Sequence, residues 1–130
     1  MSKMVTFRLN KIVRDKLPDT MRAEGQQIEV AQLEGREKTQ ALINNLVEEA
    51  RELDPGLPTY GEELADVAQA IQDLVTDSGI DVESIRREKF VKKGRFSKGM
   101  FVTKITLLAT DKWVGYYRKE PLKYVEERDY

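Results

Sequence analysis

The chain contains no cysteine and no histidine among its 130 residues. Without histidine there is neither a Ser-His-Asp triad nor a Cys-His pair. Without either residue the usual zinc ligand sets cannot be assembled, and disulfide and thiol redox chemistry are excluded. Any catalysis must run on carboxylates, lysine, arginine, hydroxyls and a hard metal ion. Net charge is also nearly absent: 22 basic against 23 acidic residues leave -1, which gives no global reason to bind nucleic acid or a membrane. The opening MSKMVTFRLNKIVRD interrupts its apolar residues with Lys3, Arg8, Lys11 and Arg14, so it reads as neither a signal-peptide core nor a membrane span. The expected location is cytoplasmic.

At 40% hydrophobic and 35% charged, the composition is that of one small globular domain over residues 1–130. A core of this size offers no room for a large internal cavity, so a site is expected between helices or subunits. The even charge balance conceals two blocks. From Asn44 to Glu83, eleven acids face the single base Arg51, a local charge of -10. From Arg86 to Lys104, eight bases face the single acid Glu88, a local charge of +7. A stretch that attracts cations precedes one that attracts anions.

The acidic block carries helical periodicity. Leu42, Leu46, Ala50 and Leu53, with Ile43 and Val47 beside them, predict a helix over about 37–54. Pro55-Gly56-Leu57-Pro58 must end it. Thr59-Tyr60-Gly61-Glu62 has capping-box spacing, and Leu64, Val67, Ala68, Ile71, Leu74 and Val75 predict a second helix that stops near Ser78-Gly79. Asp81 is the expected N-cap of a third, running to about Lys93 and closed by Gly94. Pro18 suits the first turn of a short helix from Leu17 to Glu24. Ile28 to Leu33 alternates as a short strand would. The β-branched and aromatic runs from Phe101 to Leu107 and from Trp113 to Tyr117 predict a C-terminal β-hairpin. The fold class is mainly α: an antiparallel helix hairpin completed into a bundle, with that small β appendage.

Glu49 and Glu52 are three apart on one long helix, and Glu63 and Asp66 three apart on the next, so each pair shares a helical face. A tight connection makes the two helices antiparallel neighbours. Glu52 and Glu63 then lie near the connection and Glu49 and Asp66 about one turn further away. If the faces meet, four carboxylates converge, with Glu48 beside them. Their repulsion calls for a cation, and oxygen-only ligands favour Mg²⁺ or Mn²⁺. The alternative is a pair of solvated helix faces.

Glu48-Glu49-Ala50-Arg51-Glu52 followed by Glu63-Leu64-Ala65-Asp66 resembles the EExxE…ExxD signature of the MazG-like all-α nucleoside triphosphate pyrophosphohydrolases, a superfamily that includes phosphoribosyl-ATP pyrophosphohydrolase. Asn10-Lys11-Ile12-Val13-Arg14-Asp15-Lys16-Leu17-Pro18 and Lys89-Phe90-Val91-Lys92-Lys93-Gly94-Arg95-Phe96 resemble its short-chain phosphoribosyl-ATP pyrophosphohydrolase-like subgroup. The resemblance implies that Glu49, Glu52, Glu63 and Asp66 bind Mg²⁺, with Glu48 as a supporting ligand or a base for the attacking water. It implies hydrolysis of a nucleoside triphosphate or a related nucleotide, such as phosphoribosyl-ATP, to the monophosphate and pyrophosphate. The resemblance covers a core of about 10–105, leaving 106–130 as a C-terminal extension, and it also implies a homodimer or dimer of dimers.

A triphosphate needs cations besides the metal. Lys89, Lys92, Lys93 and Arg95 are the expected phosphate contacts, joined by Lys11, Arg14 and Lys16 as the resemblance suggests. Their alternatives are a solvated helix end favoured by the dipole and weak surface ion pairs with Asp15 and Asp19. A nucleic-acid groove built from the same bases and Phe90, Phe96 and Phe101 is opposed by the acidic neighbour, so nucleic acid is not the expected partner. Two rival functions use the same scaffold: a nucleotide-sensing module without turnover, and a helical interaction domain.

Overall fold

The computed structural model describes residues 3–127. Their regular structure is helical: α1 (Leu17–Ala23), α2 (Gly35–Arg51), α3 (Tyr60–Ser78), α4 (Val82–Lys93) and α5 (Trp113–Arg118). None of the helices among the described residues is long and apolar enough to cross a membrane. The chain divides into two compact units, Met1–Lys89 and Phe90–Tyr130, and each is described by itself.

The first unit is organised by the α2–α3 hairpin, whose helices run about 26 and 28 Å at 1.5 Å per residue. Only part of each predicted apolar stripe turns inward: Ile43, Val47, Leu64 and Ile71 stay exposed. Leu42 on α2 and Ala70 on α3 are the buried hydrophobic residues among those described. At the far end of the hairpin, the Thr39 hydroxyl donates to Asp77 Oδ2 at 2.7 Å, and Lys38 Nζ lies 3.8 Å from Asp77 Oδ1. That contact sets an antiparallel register in which facing residue numbers add to about 116. Leu46 is thereby level with Ala70, and Glu49 with Asp66.

Helix ends follow the sequence closely. α2 stops at Arg51, and the Pro-Gly-Pro stretch continues as tight turns: the Leu57 N–H donates to the Asp54 carbonyl at 3.1 Å and the Tyr60 N–H to the Leu57 carbonyl at 3.1 Å. α3 ends on Gly79, whose φ of 66° is left-handed and suits a residue without a Cβ. Asp81 Oδ1 accepts from the Ser84 N–H at 3.1 Å, as an N-cap does. The capping box expected at Thr59 is not formed. The Thr59 hydroxyl instead donates to Glu63, one residue beyond the box position, at 3.1 Å.

Two strand expectations are corrected. Residues 28–33 have no regular secondary structure, and no strand occurs among the described residues. In the second unit the predicted hairpin is absent, because residues 113–118 form α5. Asp111 Oδ1 accepts from the Trp113 N–H at 2.8 Å and starts the turn. Trp113, Tyr116 and Tyr117 then fall at helical rather than strand spacing. Their rings pack edge to face, Trp113 to Tyr116 at 5.3 Å and Tyr117 to Tyr124 at 5.0 Å between centroids. Residues 101–107 have no regular secondary structure.

Candidate metal centre

The site is built from the connection end of the α2–α3 hairpin. Glu48 and Glu49 lie in the last turn of α2, Glu52 caps that helix, and Glu63 and Asp66 lie in the first two turns of α3. Glu49, Glu63 and Asp66 are half-buried, while Glu48 and Glu52 are exposed.

Glu49 is the electrostatic centre. Its carboxyl is held above the ordinary glutamate range, first by burial, then by the negative charges of Glu52, Asp66 and Glu48, with Lys11 opposing the shift. Acids from both helices therefore act on one carboxyl, as the three-residue spacings imply. Among the described residues, no three carboxylates are close enough together as placed to share one ion. The convergence is one of fields more than of oxygen atoms.

Glu63 has a different role from its neighbours. Oε2 accepts from the Asp54 N–H at 3.1 Å and Oε1 from the Thr59 hydroxyl at 3.1 Å, so both oxygens fasten the interhelical connection. The same carboxylate that spacing assigns to a metal thus also holds the turn that positions the other acids. This was not legible in the sequence, because the partners are a backbone amide and a hydroxyl whose placement depends on the turn itself.

The N-terminal motif reaches the acids directly. Arg14 Nη2 lies 2.6 Å from Asp66 Oδ1, and Lys11 Nζ lies 3.7 Å from Glu48 Oε1. The alternative pairing of this motif with Asp15 and Asp19 is not formed; Asp19 pairs with Arg22 at 3.7 Å. Lys16 is the N-cap residue of α1, where its carbonyl accepts from the Thr20 hydroxyl at 3.1 Å, and it makes no ion pair among the described residues.

The basic block is placed differently. Lys89 lies on α4, exposed, and no ion pair joins it to the hairpin acids among the described residues. Lys92 and Lys93 occupy the last turn of that helix, where the dipole favours them, and belong with Arg95 to the second unit. The Arg95 guanidinium stacks over the Phe90 ring at 4.6 Å from its centroid.

A shallow groove runs along α2 beside the acids, lined by Asn44, Val47, Glu48, Arg51 and Glu52. It offers an amide, an apolar patch and a guanidinium next to two of the candidate ligands. Comparison with known proteins gives no match: no family model, no curated protein and no solved structure aligns with this chain.

Carboxylate oxygens are the donor type that a hard divalent cation takes, although as placed no three of them converge among the described residues. Every donor is a carboxylate oxygen, the donors come from two helices held in register, and their mutual repulsion weighs on Glu49.

Proposed function

We propose that the chain is a Mg²⁺-dependent nucleotide pyrophosphohydrolase, which cleaves a nucleoside triphosphate or a related nucleotide to the monophosphate and pyrophosphate. The observation that carries this reading is the register of the α2–α3 hairpin, fixed by the Thr39–Asp77 contact, which sets Glu49 level with Asp66 and near Glu48, Glu52 and Glu63. The motif resemblance, on the same residues, supplies the reaction.

Glu49, Glu52 and Asp66 would hold the ion, with Glu63 contributing from the connection; Mn²⁺ would suit the same oxygens. Bound there, Mg²⁺ supplies the positive charge that binds and polarises the phosphate chain. Glu48, exposed at the end of α2, orients a water and accepts its proton on a carboxylate oxygen as the water oxygen bonds to the α-phosphorus. The bond from that phosphorus to the bridging oxygen breaks, and pyrophosphate leaves with the electron pair. A carboxylate performs this task without a raised pKa, so the lack of histidine is no obstacle. Lys11 and Arg14, which pair with Glu48 and Asp66, would neutralise phosphate oxygens. The groove along α2 gives a nucleoside an apolar contact at Val47 and a polar one at Asn44.

A homo-oligomer belongs to the same reading. Ile43 and Val47 on α2 and Leu64 and Ile71 on α3 remain between 40% and 47% exposed, at helical spacings that leave apolar stripes open on the hairpin. A second copy presenting the same stripes would cover them.

The deciding experiment measures pyrophosphate release across a nucleotide panel with Mg²⁺ or with chelator. Metal-dependent release supports the enzyme, nucleotide binding without release supports a sensor, and neither supports an interaction domain.

A further inference from the structure

We propose that the second unit docks on an anionic lipid surface, lying on the bilayer rather than crossing it. The second unit alone carries the proposal, which does not depend on the metal reading of the hairpin. From Phe90 to Thr110 the chain has five bases and no acid. Of these, Lys104 pairs with Glu127 at 3.2 Å, whereas Lys92, Lys93, Arg95 and Lys98 make no ion pair among the described residues. Phe96 opens a tight turn in which the Gly99 N–H donates to the Phe96 carbonyl at 3.2 Å, with Gly99 left-handed at a φ of 64°. Around that turn Phe96, Met100, Phe101, Val102 and Leu108 are between 78% and 101% exposed.

Large apolar side chains standing in water beside these bases call for a partner that is apolar and anionic at once. A bilayer with anionic headgroups is both: its phosphates meet the lysines, and its acyl boundary takes phenylalanine, methionine and leucine alike. A single-stranded nucleic acid fits less well. Met100, Val102 and Leu108 have no flat face for a base, and the Phe90 ring is already covered by the Arg95 guanidinium at 4.6 Å. The C-terminal helix adds an independent observation. Trp113 and Tyr116 are half-exposed, Lys112 Nζ lies 5.8 Å from the Trp113 ring centroid, and Lys123 Nζ lies 5.1 Å from that of Tyr124. Indole and phenol rings settle at headgroup depth, where lysine reaches the phosphates. Screening over about 8 Å at physiological salt makes this local balance, rather than the chain's net charge of -1, the quantity that a surface meets.

The test is co-sedimentation of the full chain with vesicles of phosphatidylcholine alone or mixed with phosphatidylglycerol, with folding of each variant checked by circular dichroism. Wild type should bind the mixed vesicles at least about tenfold more tightly than the neutral ones, and added salt should weaken the binding. Lys98→Gln should weaken it about fivefold, the share of one lysine at an anionic surface. Phe96→Ser, which leaves the charge unchanged, should weaken it about tenfold by removing an inserted ring. Arg36→Gln removes the same unit of charge from α2 in the first unit and should leave the affinity unchanged. Absence of binding to the mixed vesicles, equal binding to neutral ones, a Phe96→Ser protein that binds as wild type does, or an equal loss in Arg36→Gln overturns the proposal. Tighter binding to oligothymidylate than to the mixed vesicles, lost in Phe96→Ser, overturns it in favour of nucleic acid. An oligomer that Phe96→Ser dissociates overturns it in favour of a second copy of the chain.

Discussion

Asp66 is held by Arg14 and acts on Glu49, so its charge matters to both partners. Asp66→Asn keeps the shape and removes the charge. It should lower Mg²⁺-dependent pyrophosphate release about 10- to 100-fold, and a variant as active as wild type would remove Asp66 from the reaction. Glu49 makes a prediction about acid and stability. Its folded-state pKa is raised, so the ionised form destabilises the metal-free fold at neutral pH, and that penalty fades as pH falls through the folded pKa toward the unfolded value. In chelator, Glu49→Gln should therefore melt at or above wild type at pH 7, with the gap closing as the buffer is taken down to pH 4. With Mg²⁺ added the order should reverse, because ion binding stabilises only the protein that still holds the ligand. Thermal melts of both proteins over that pH range, with and without the metal, provide the check.

At the scale of the helices, the hairpin depends on a few contacts that spacing alone only partly discloses. Leu42, buried against α3, should cost about 2–4 kcal/mol when truncated to alanine, measured by urea denaturation. Glu63→Ala removes two hydrogen bonds at the connection and should cost about 1–2 kcal/mol even in chelator, a loss that Asp66→Ala should not reproduce. The long helices were legible because Leu42, Leu46, Leu64 and Ile71 repeat at the helical period and because Pro55, Pro58 and Gly79 leave the chain little choice about where to stop. The C-terminal helix was misread for the opposite reason. Trp113 to Tyr117 is rich in residues that favour strands, and one Asp111 side chain starting a turn, together with ring packing at i, i+3 and i+4, outweighed that preference. The acid spacings at the candidate site were legible, but the partners of those acids were not. Arg14 and Asp66 are 52 positions apart, and no local pattern links them. The Thr39–Asp77 contact did leave a trace: an aspartate in the last turn of a helix opposes the dipole and needs compensation, which Thr39 and Lys38 provide.

For the whole molecule, the open stripes on α2 and α3 call for a partner, and a second copy is the one proposed above. Sedimentation should show a dimer or larger species at tens of micromolar, and Ile71→Glu should shift it toward monomer, because a charge at that position cannot be buried unpaired. An unchanged species in the variant would move the interface off that stripe. The ring cluster of the second unit has a practical optical meaning. Trp113 is the sole tryptophan of the chain, and it sits edge-on to Tyr116 beyond the division between Lys89 and Phe90. Tryptophan emission is therefore a reporter for the C-terminal unit, whereas far-ultraviolet ellipticity is dominated by the long helices α2 and α3. Melting curves recorded with the two signals would coincide if the units unfold as one and separate if they do not. The native chain thus carries its own two-colour assay of cooperativity, with no label to attach.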